Sequence, residues 1–378
     1  MRIALVHDWL DTWAGGENVL LELTALYPDA PVYTLVDFMP SPLRERLDGC
    51  DIRTSFLQRM PFARTSFRRY LPLFPRAIES LDVSRFDLVI SSSHAVAKGV
   101  RTHAGQLHVC YCYSPMRYAW DLRDQYLAQV GLDRGLPRWL AERVLDRLAS
   151  WDARTSSRVN AFIAISHHIA RRIARCYARE SEVIYPPVRL PAHAATGARR
   201  SNLYVTVSRL VPYKRLDRIA AAFRHLPGCQ LVIVGEGPER ARIAQAAGPN
   251  VTLAGQLDDE ARDALLGEAQ AFVFAADEDF GIAPIEAQGF GTPVIALRQG
   301  GLMETIDGLD TGMPTGVFFD EPTPEAIVGA IRTFEQNRSR IDPAACRANA
   351  ERFSAARFRA ELASCVAARY EAFQASRP

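Results

Sequence analysis

Ala271-Phe-Val-Phe-Ala-Ala-Asp-Glu-Asp-Phe-Gly-Ile-Ala-Pro-Ile-Glu286 decides how this chain folds. The unbroken apolar run Ala271–Ala276 reads as a strand covered on both faces. An acidic turn follows and closes on Gly281, and a helix begins near Ile282. Strand, turn and helix in that order are the repeating unit of a parallel, doubly wound sheet. The turn puts Glu278 at the strand's carboxyl end. The backbone amides near Gly281–Ala283 then lie at a helix start, where unpaired N–H groups favour an anion such as a diphosphate. Gly281 lets a ligand approach the backbone. Glu286 falls about one turn into the helix, where a carboxylate can accept hydrogen bonds from a pair of hydroxyls.

The same alternation extends outward in both directions. Towards the C-terminus, strands are expected at Pro293–Leu297 and Gly316–Phe319, followed by mostly helical chain with an apolar stripe at Phe353, Phe358, Leu362, Val366 and Tyr370. Towards the N-terminus, strands are expected at Val251–Ala254, Gln230–Val234 and Leu203–Ser208. Leu190–Ser201 lacks periodicity and is rich in Ala, Pro, Gly and Arg, so it reads as a linker. Before it the pattern starts afresh, with strands at Arg2–His7, Pro31–Val36, Phe86–Ser91, His108–Tyr113 and Ala161–Ile165. Helices are expected at Gly15–Tyr27 and His167–Tyr177, the latter capped by Ser166. The expected organisation is an N-terminal domain over 1–188, a linker over 189–201 and a second domain over 202–353. A final helix over 354–378 packs back on the first domain. Each domain is α/β and doubly wound, which puts ligands at the strand ends and in an interdomain cleft.

Composition narrows the function classes. A length of 378 residues exceeds what one core usually organises. A formal net charge of +2 supplies no global field for nucleic acid. The seven scattered cysteines include no C-x-x-C pair, which argues against a zinc site or a disulfide framework and for a reducing, cytoplasmic setting. The first apolar run is too short for a signal peptide, and no run approaches a membrane span. Only two of the 45 basic residues are lysines, Lys98 and Lys214. A compact, flexible ammonium is therefore retained where a guanidinium fork does not serve.

Lys214 sits in Ser208-Arg-Leu-Val-Pro-Tyr-Lys-Arg-Leu-Asp217, between a strand and a helix. Arg209 and Lys214 are five apart across a proline-containing turn, so both can reach one anion. Fixed cations stabilise a leaving diphosphate more than the ground state, because its charge grows as its bond breaks. This segment, the Gly235-Glu-Gly-Pro238 turn and the two glutamates at 278 and 286 resemble, in order and spacing, the motifs of glycosyltransferase family 4. The resemblance extends to Ala14-Gly-Gly-Glu17 and covers nearly the whole chain. It implies a GT-B fold of two facing Rossmann-like domains and a retaining transferase that needs no metal and no cofactor beyond its nucleotide-sugar substrate. It also implies that Arg209 and Lys214 bind the diphosphate, Glu278 faces the donor sugar, Glu286 holds the ribose, and the backbone amides of Phe280, Gly281 and Ile282 contact sugar and phosphate. Asp277-Glu-Asp279 has the Asp-x-Asp pattern that binds divalent metal in other transferases, but the resemblance argues against a metal there. Gly235-Glu-Gly237 lacks the third glycine of a dinucleotide fingerprint, since residue 240 is Arg.

The N-terminal half holds the remaining candidates. Gly15 and Gly16 lie between the first strand and helix, where a phosphate can approach. His94 follows a strand and can hydrogen-bond a donor sugar or assist proton movement. Lys98, Tyr113 and Arg117 are expected to meet an acceptor, with Tyr118, Trp120 and Asp121 crowding the same turn. This stretch and His7-Asp-Trp-Leu10 resemble the bacterial mannosyltransferases of O-antigen and exopolysaccharide synthesis, which implies GDP-mannose as donor and a glycan or polyprenyl-diphosphate-linked acceptor. The segment Gln58–Arg76 interleaves basic and aromatic residues in a way that suits the inner membrane surface. Two other readings remain open at this point. One is the same chemistry with a UDP- or dTDP-sugar; the other is a sugar-nucleotide epimerase or a non-catalytic nucleotide-sugar binding protein on the same scaffold.

Overall fold

Apolar runs that alternate with amphipathic stretches leave strands covered on both faces, and both halves of the chain fold accordingly. The computed structural model describes residues 1–129, 131–132, 134–191 and 202–377, with only the backbone of residue 129. They divide into two units, Met1–Pro187 with Ala356–Pro378, and Val188–Ala355.

The first unit holds β1 (Ile3–His7), β2 (Val32–Thr34), β3 (Ile52–Thr54), β4 (Leu88–Ser93), β5 (Leu107–Cys112), β6 (Ala161–Ala164) and β7 (Ser181–Val183). They form one sheet in the order β3-β2-β1-β4-β5-β6-β7 with every neighbouring pair parallel. Leu5 lies opposite Val32 on one side and Ile90 on the other. The chain winds one way from β1 to β3, then returns to the far side of β1 and winds the other way. This reversal between β1 and β4 opens a crevice at their carboxyl ends. The closing helix Ala355–Ala375 covers this unit with Phe358, Leu362 and Val366, and Phe358 meets Tyr111 edge-on at 5.5 Å.

The second unit holds β8 (Leu203–Val207), β9 (Gln230–Val234), β10 (Val251–Gly255), β11 (Ala271–Phe274), β12 (Val294–Leu297) and β13 (Gly316–Phe319). Their order is β10-β9-β8-β11-β12-β13, again parallel throughout. Side chains alternate between two cores. Tyr204 points to one with Phe223 and Phe334, and Val205 to the other with Phe272 and Leu302. The reversal here falls between β8 and β11, the strands that lead into the Ser208–Asp217 and Glu278–Glu286 segments.

The expected caps and strands are mostly in place; the Ser166 hydroxyl accepts the Ile169 amide at 3.1 Å. Several elements were not legible, β3, β7 and the helix Gly135–Thr155 among them. β3 and β7 are three residues each, too short to show a period. The helix Gly135–Thr155 buries Leu145, Leu148 and Trp151 only in its second half, so it lacks a continuous apolar stripe. Residues 192–201 of the expected linker lie outside the described residues, while Arg189 pairs with Asp259 and Asp263 of the second unit.

The Gln58–Arg76 stretch divides its aromatic residues between the core and the surface. It folds as a series of short helical turns. Phe67 and Phe74 are buried against Trp9, with ring centroids 5.8 and 5.9 Å away. Arg68 stacks on Phe67 and pairs with Asp11. Covering Trp9 turns these two rings inward, while Phe62 of the same stretch is 84% exposed. Among the described residues no helix is long and apolar enough to cross a membrane.

Candidate functional site

Lys214 and Glu278, 64 residues apart in sequence, meet at the reversal of the second sheet. β8 ends at Val207, and the chain turns through Ser208–Val211 into a short 3-10 turn, Pro212–Lys214. The turn keeps its place because the Gly235–Gly237 turn lies directly against it. The Leu210 amide donates to the Glu236 carbonyl at 2.9 Å. Gly235 and Gly237 have φ of +130° and +158°, and a Cβ on either would stand 1.9 Å from the Ser208 oxygen or 2.4 Å from that of Leu210. Only glycine permits that approach.

Glu278 follows β11. Its carboxylate accepts from the Lys214 ammonium, and both side chains are largely buried. The ammonium also lies 5.1 Å from the Phe274 ring and 5.4 Å from that of Tyr213. Arg209 is exposed and donates to the Tyr213 hydroxyl at 3.3 Å, so one tyrosine links the two expected diphosphate ligands. Phe280 is buried and packs edge-on against Phe353 at 5.4 Å, which leaves its backbone as the part that can meet a ligand. Gly281 takes a left-handed φ of +93° and caps the helix Ile282–Gly289, whose first amides have no intrahelical acceptor.

Beneath the Glu278 loop lies Gly300-Gly301. The Gly301 amide donates to the Glu278 carbonyl at 2.7 Å, and a Cβ on Gly300 would stand 2.2 Å from that same oxygen. Neither glycine is among the residues expected from the sequence, although a glycine pair between a strand and a helix is the signal noted at Gly15-Gly16.

Glu286 lies one turn into the helix among Arg262, Asp263, Arg189 and Asp259. Burial pushes its carboxyl up to about 7; Asp263 and Asp259 add to the rise, while Arg262 and Arg189 oppose it. Bonds from two hydroxyls would favour its ionised form.

The crevice of the first sheet is built around Asp8, which the sequence did not mark as a site residue. Its buried carboxylate accepts the amides of His94, Ala95, Val96 and Ala97 at 2.6–3.1 Å and pairs with His94 Nδ1 at 3.0 Å. Burial alone would raise this carboxyl, but the charge and hydrogen bond of His94 and the charge of His7 hold it at about 2. Burial lowers His94, yet Asp8 outweighs it and holds the imidazole above its ordinary value. With Nδ1 committed to Asp8, Nε2 is the ring nitrogen left for a ligand.

Gly15 and Gly16 open the helix Gly15–Leu26 and are fixed by a second chain of bonds. The Glu17 carboxylate accepts the Ala14 amide at 2.8 Å and lies 3.5 Å from His7 Nε2. His7 Nδ1 meets the Ser92 hydroxyl at 3.1 Å; Ser92 meets the Tyr113 hydroxyl at 2.8 Å; and Tyr113 donates to the Gly16 carbonyl at 3.1 Å. Tyr113 is therefore an anchor of the glycine loop, with its hydroxyl engaged inside the unit and its side chain half-buried.

Lys98 departs from expectation. It is 1% exposed; its ammonium pairs with Asp152 at 2.8 Å, donates to the Asp152 carbonyl at 2.7 Å and lies 4.7 Å from the Tyr177 ring. An ammonium so enclosed cannot receive an anionic acceptor. The same carboxylate accepts from Trp120 at 2.9 Å, and Asp121 pairs with Arg172 and Arg175. The Trp120–Asp121 turn is thus tied to neighbouring helices, with Arg117 half-buried within it.

Paired strand reversals, each with a glycine turn and charged groups at the strand ends, are one architecture used twice. Residues 192–353 match the model of the family described as glycosyl transferases, group 1. This segment, less than half of the chain, is similar to the group 1 glycosyl transferases. Across the chain, 31% identity over 61% of its length relates it to a glycogen synthase of Pseudomonas savastanoi, of which it covers 45%. A GDP-mannose-dependent alpha-(1-6)-phosphatidylinositol dimannoside mannosyltransferase of Mycobacterium tuberculosis is 33% identical over 44% of each chain. The chain thus spans about half the length of the curated relatives it matches. Among solved structures, Anabaena HepE in complex with UDP and glucose superposes with a TM-score of 0.66 at 19% identity, over 97% of this chain and 99% of that one. A sucrose-phosphate synthase from Thermosynechococcus elongatus gives 0.67 at 17% identity. These place the fold as GT-B. The family match covers β8 to β13 and with them Arg209, Lys214, Glu278 and Glu286, while the crevice at Asp8 and His94 lies outside it.

Proposed function

We propose that the chain is a retaining glycosyltransferase that moves mannose from GDP-mannose to a glycan acceptor carried on a polyprenyl diphosphate, in the synthesis of a bacterial surface polysaccharide. The observation that carries the transferase reading is the meeting of Lys214 with Glu278 at the sheet reversal, beside Arg209 and a helix start. A cation held ready by an adjacent carboxylate is suited to a diphosphate whose charge grows, and the carboxylate is suited to the hydroxyls of the sugar attached to it. In the reaction the bond between the sugar's anomeric carbon and the diphosphate oxygen breaks, and a bond to the acceptor oxygen forms on the same face. The acceptor proton passes to an oxygen of the departing diphosphate. Lys214, Arg209 and the amides of Gly281 and Ile282 hold that diphosphate, Glu278 orients the sugar, and Glu286 takes the ribose hydroxyls. Gly15 and Gly16 offer backbone to the donor, and His94 offers Nε2 to the sugar or to the acceptor hydroxyl.

The mannosyltransferase relative favours GDP-mannose. The UDP complex of HepE favours a second reading with a UDP-sugar. A thermal-shift screen of GDP-, UDP- and dTDP-sugars, followed by donor turnover in excess EDTA, tests both points. GDP-mannose should give the largest stabilisation and turnover should survive EDTA. A larger shift with a UDP-sugar would replace the donor, and loss of turnover restored by magnesium would return Asp277 and Asp279 to metal binding.

A further inference from the structure

The first half of the helix Gly135–Thr155 turns large apolar side chains to solvent. Leu136, Trp139 and Leu140 are 68%, 50% and 53% exposed, although Leu145, Leu148 and Trp151 on the other face are buried. Residues three and four apart share a helix face, so these three form one turn of a stripe that continues through Arg143 and Arg147. Single exposed apolar residues are ordinary on a soluble surface, but a contiguous group on one helix turn marks an interaction site.

The charges of the stripe identify what covers it. The Arg143 guanidinium lies 5.1 Å from the Trp139 ring centroid. Arg143 and Arg147 hold no ion pair among the described residues, and Asp146, the acid beside them, is paired with Arg123 at 2.6 Å. The stripe therefore presents an apolar end and a cationic continuation. At about 1.5 Å of rise per residue, Arg143 and Arg147 stand roughly 5 and 10 Å along the axis from the apolar turn. Leucine and tryptophan on this face can enter the acyl boundary while the neighbouring guanidinium groups remain among phosphates. A second copy docked on the same stripe would bring its unpaired arginines towards these, with no free carboxylate on the stripe to receive them.

We propose that this helix face docks the protein on an anionic lipid surface, with Leu136, Trp139 and Leu140 inserted and Arg143 and Arg147 on the headgroup phosphates. The docking face is independent of the residues assigned to sugar transfer. If vesicle binding fails, donor turnover is untouched; if donor turnover fails, vesicle binding is untouched.

The full chain should co-sediment with vesicles of mixed phosphatidylglycerol and phosphatidylcholine and much less with phosphatidylcholine alone. Brominated lipid should quench tryptophan emission, and Trp139→Phe should remove most of that quenching. Arg143→Glu with Arg147→Glu should weaken partition by at least about tenfold, and Leu136→Ser with Leu140→Ser should do the same. All these residues are exposed, so melting temperature and donor turnover should hold. Unchanged vesicle binding in either double variant would overturn the proposal. So would a dimer in light scattering that the leucine double variant dissociates, in a wild type that ignores vesicles.

Discussion

The two sheets reverse in the same way and gather charge at the same place, yet they treat it oppositely. At the second reversal, Lys214 and Glu278 have chiefly each other, with Arg209 exposed beside them. At the first, Asp8 already has four amides and an imidazole, and His7, Ser92, Tyr113 and Glu17 close on one another. A charged group with unused bonding capacity can exchange its partner for a ligand at little cost. A saturated one cannot be released without leaving a buried charge unpaired. The groups able to exchange a partner for a ligand lie at the second reversal, while the bonds of the first hold a glycine loop and one imidazole in place.

The sharpest way to break this comparison is at the open site. Lys214→Ala should lower donor turnover by on the order of a hundredfold or more, with little change in the first unit's unfolding. Glu278→Gln should show a similar loss, because it removes both the sugar acceptor and the group that aims Lys214. Near-wild-type turnover in Lys214→Ala would remove the diphosphate assignment and with it the contrast between the two crevices.

Asp8→Asn attacks the saturated site and should act first on stability. The amide would turn donors towards backbone N–H groups and strip His94 of its counter-charge, at a cost of about 3–5 kcal/mol. Hydrogen exchange during urea unfolding should show the loss in the first unit alone. The pH dependence follows from the direction of each shift. Asp8 is held at about 2, below the ordinary 3.8, so its contribution is full above the higher value and is lost as pH falls through the lower. His94 is raised, so its contribution is full below the ordinary 6.5 and is lost as pH rises through the folded value. In Asp8→Asn the His94 titration, followed by NMR, should move down. An unmoved titration would show that Asp8 does not govern the imidazole.

The same contrast explains what the sequence made legible. Arg209, Lys214, Glu278 and Glu286 lie in short segments directly after strands, so their place at the sheet edge follows from local pattern. Lys98 and Tyr113 also follow strands, but their surroundings are decided by Asp152 and Ser92, 54 and 21 residues away. No local pattern announces such partners. Asp8 was hidden for a related reason, since its bonds go to the backbone of residues 94–97, where residue type leaves no mark. Gly300 and Gly301 were legible in principle, as a glycine pair after β12.

The smallest expected effect concerns Glu286, where the open site can be read without catalysis. Its carboxyl is raised to about 7 from the ordinary 4.5, so in the ligand-free protein its ionisation costs stability as pH rises through that window. Two ribose hydroxyls donating to it would favour the ionised form and drive off the proton that burial retains. Binding of the nucleoside diphosphate at pH 7 should therefore release about half a proton, measured by calorimetry in buffers of different ionisation enthalpy. Glu286→Gln should abolish that release and weaken binding by about tenfold. If wild type and variant released the same fraction of a proton, the ribose would lie elsewhere, and the raised carboxyl would belong with the Arg262 and Asp263 cluster as part of the scaffold.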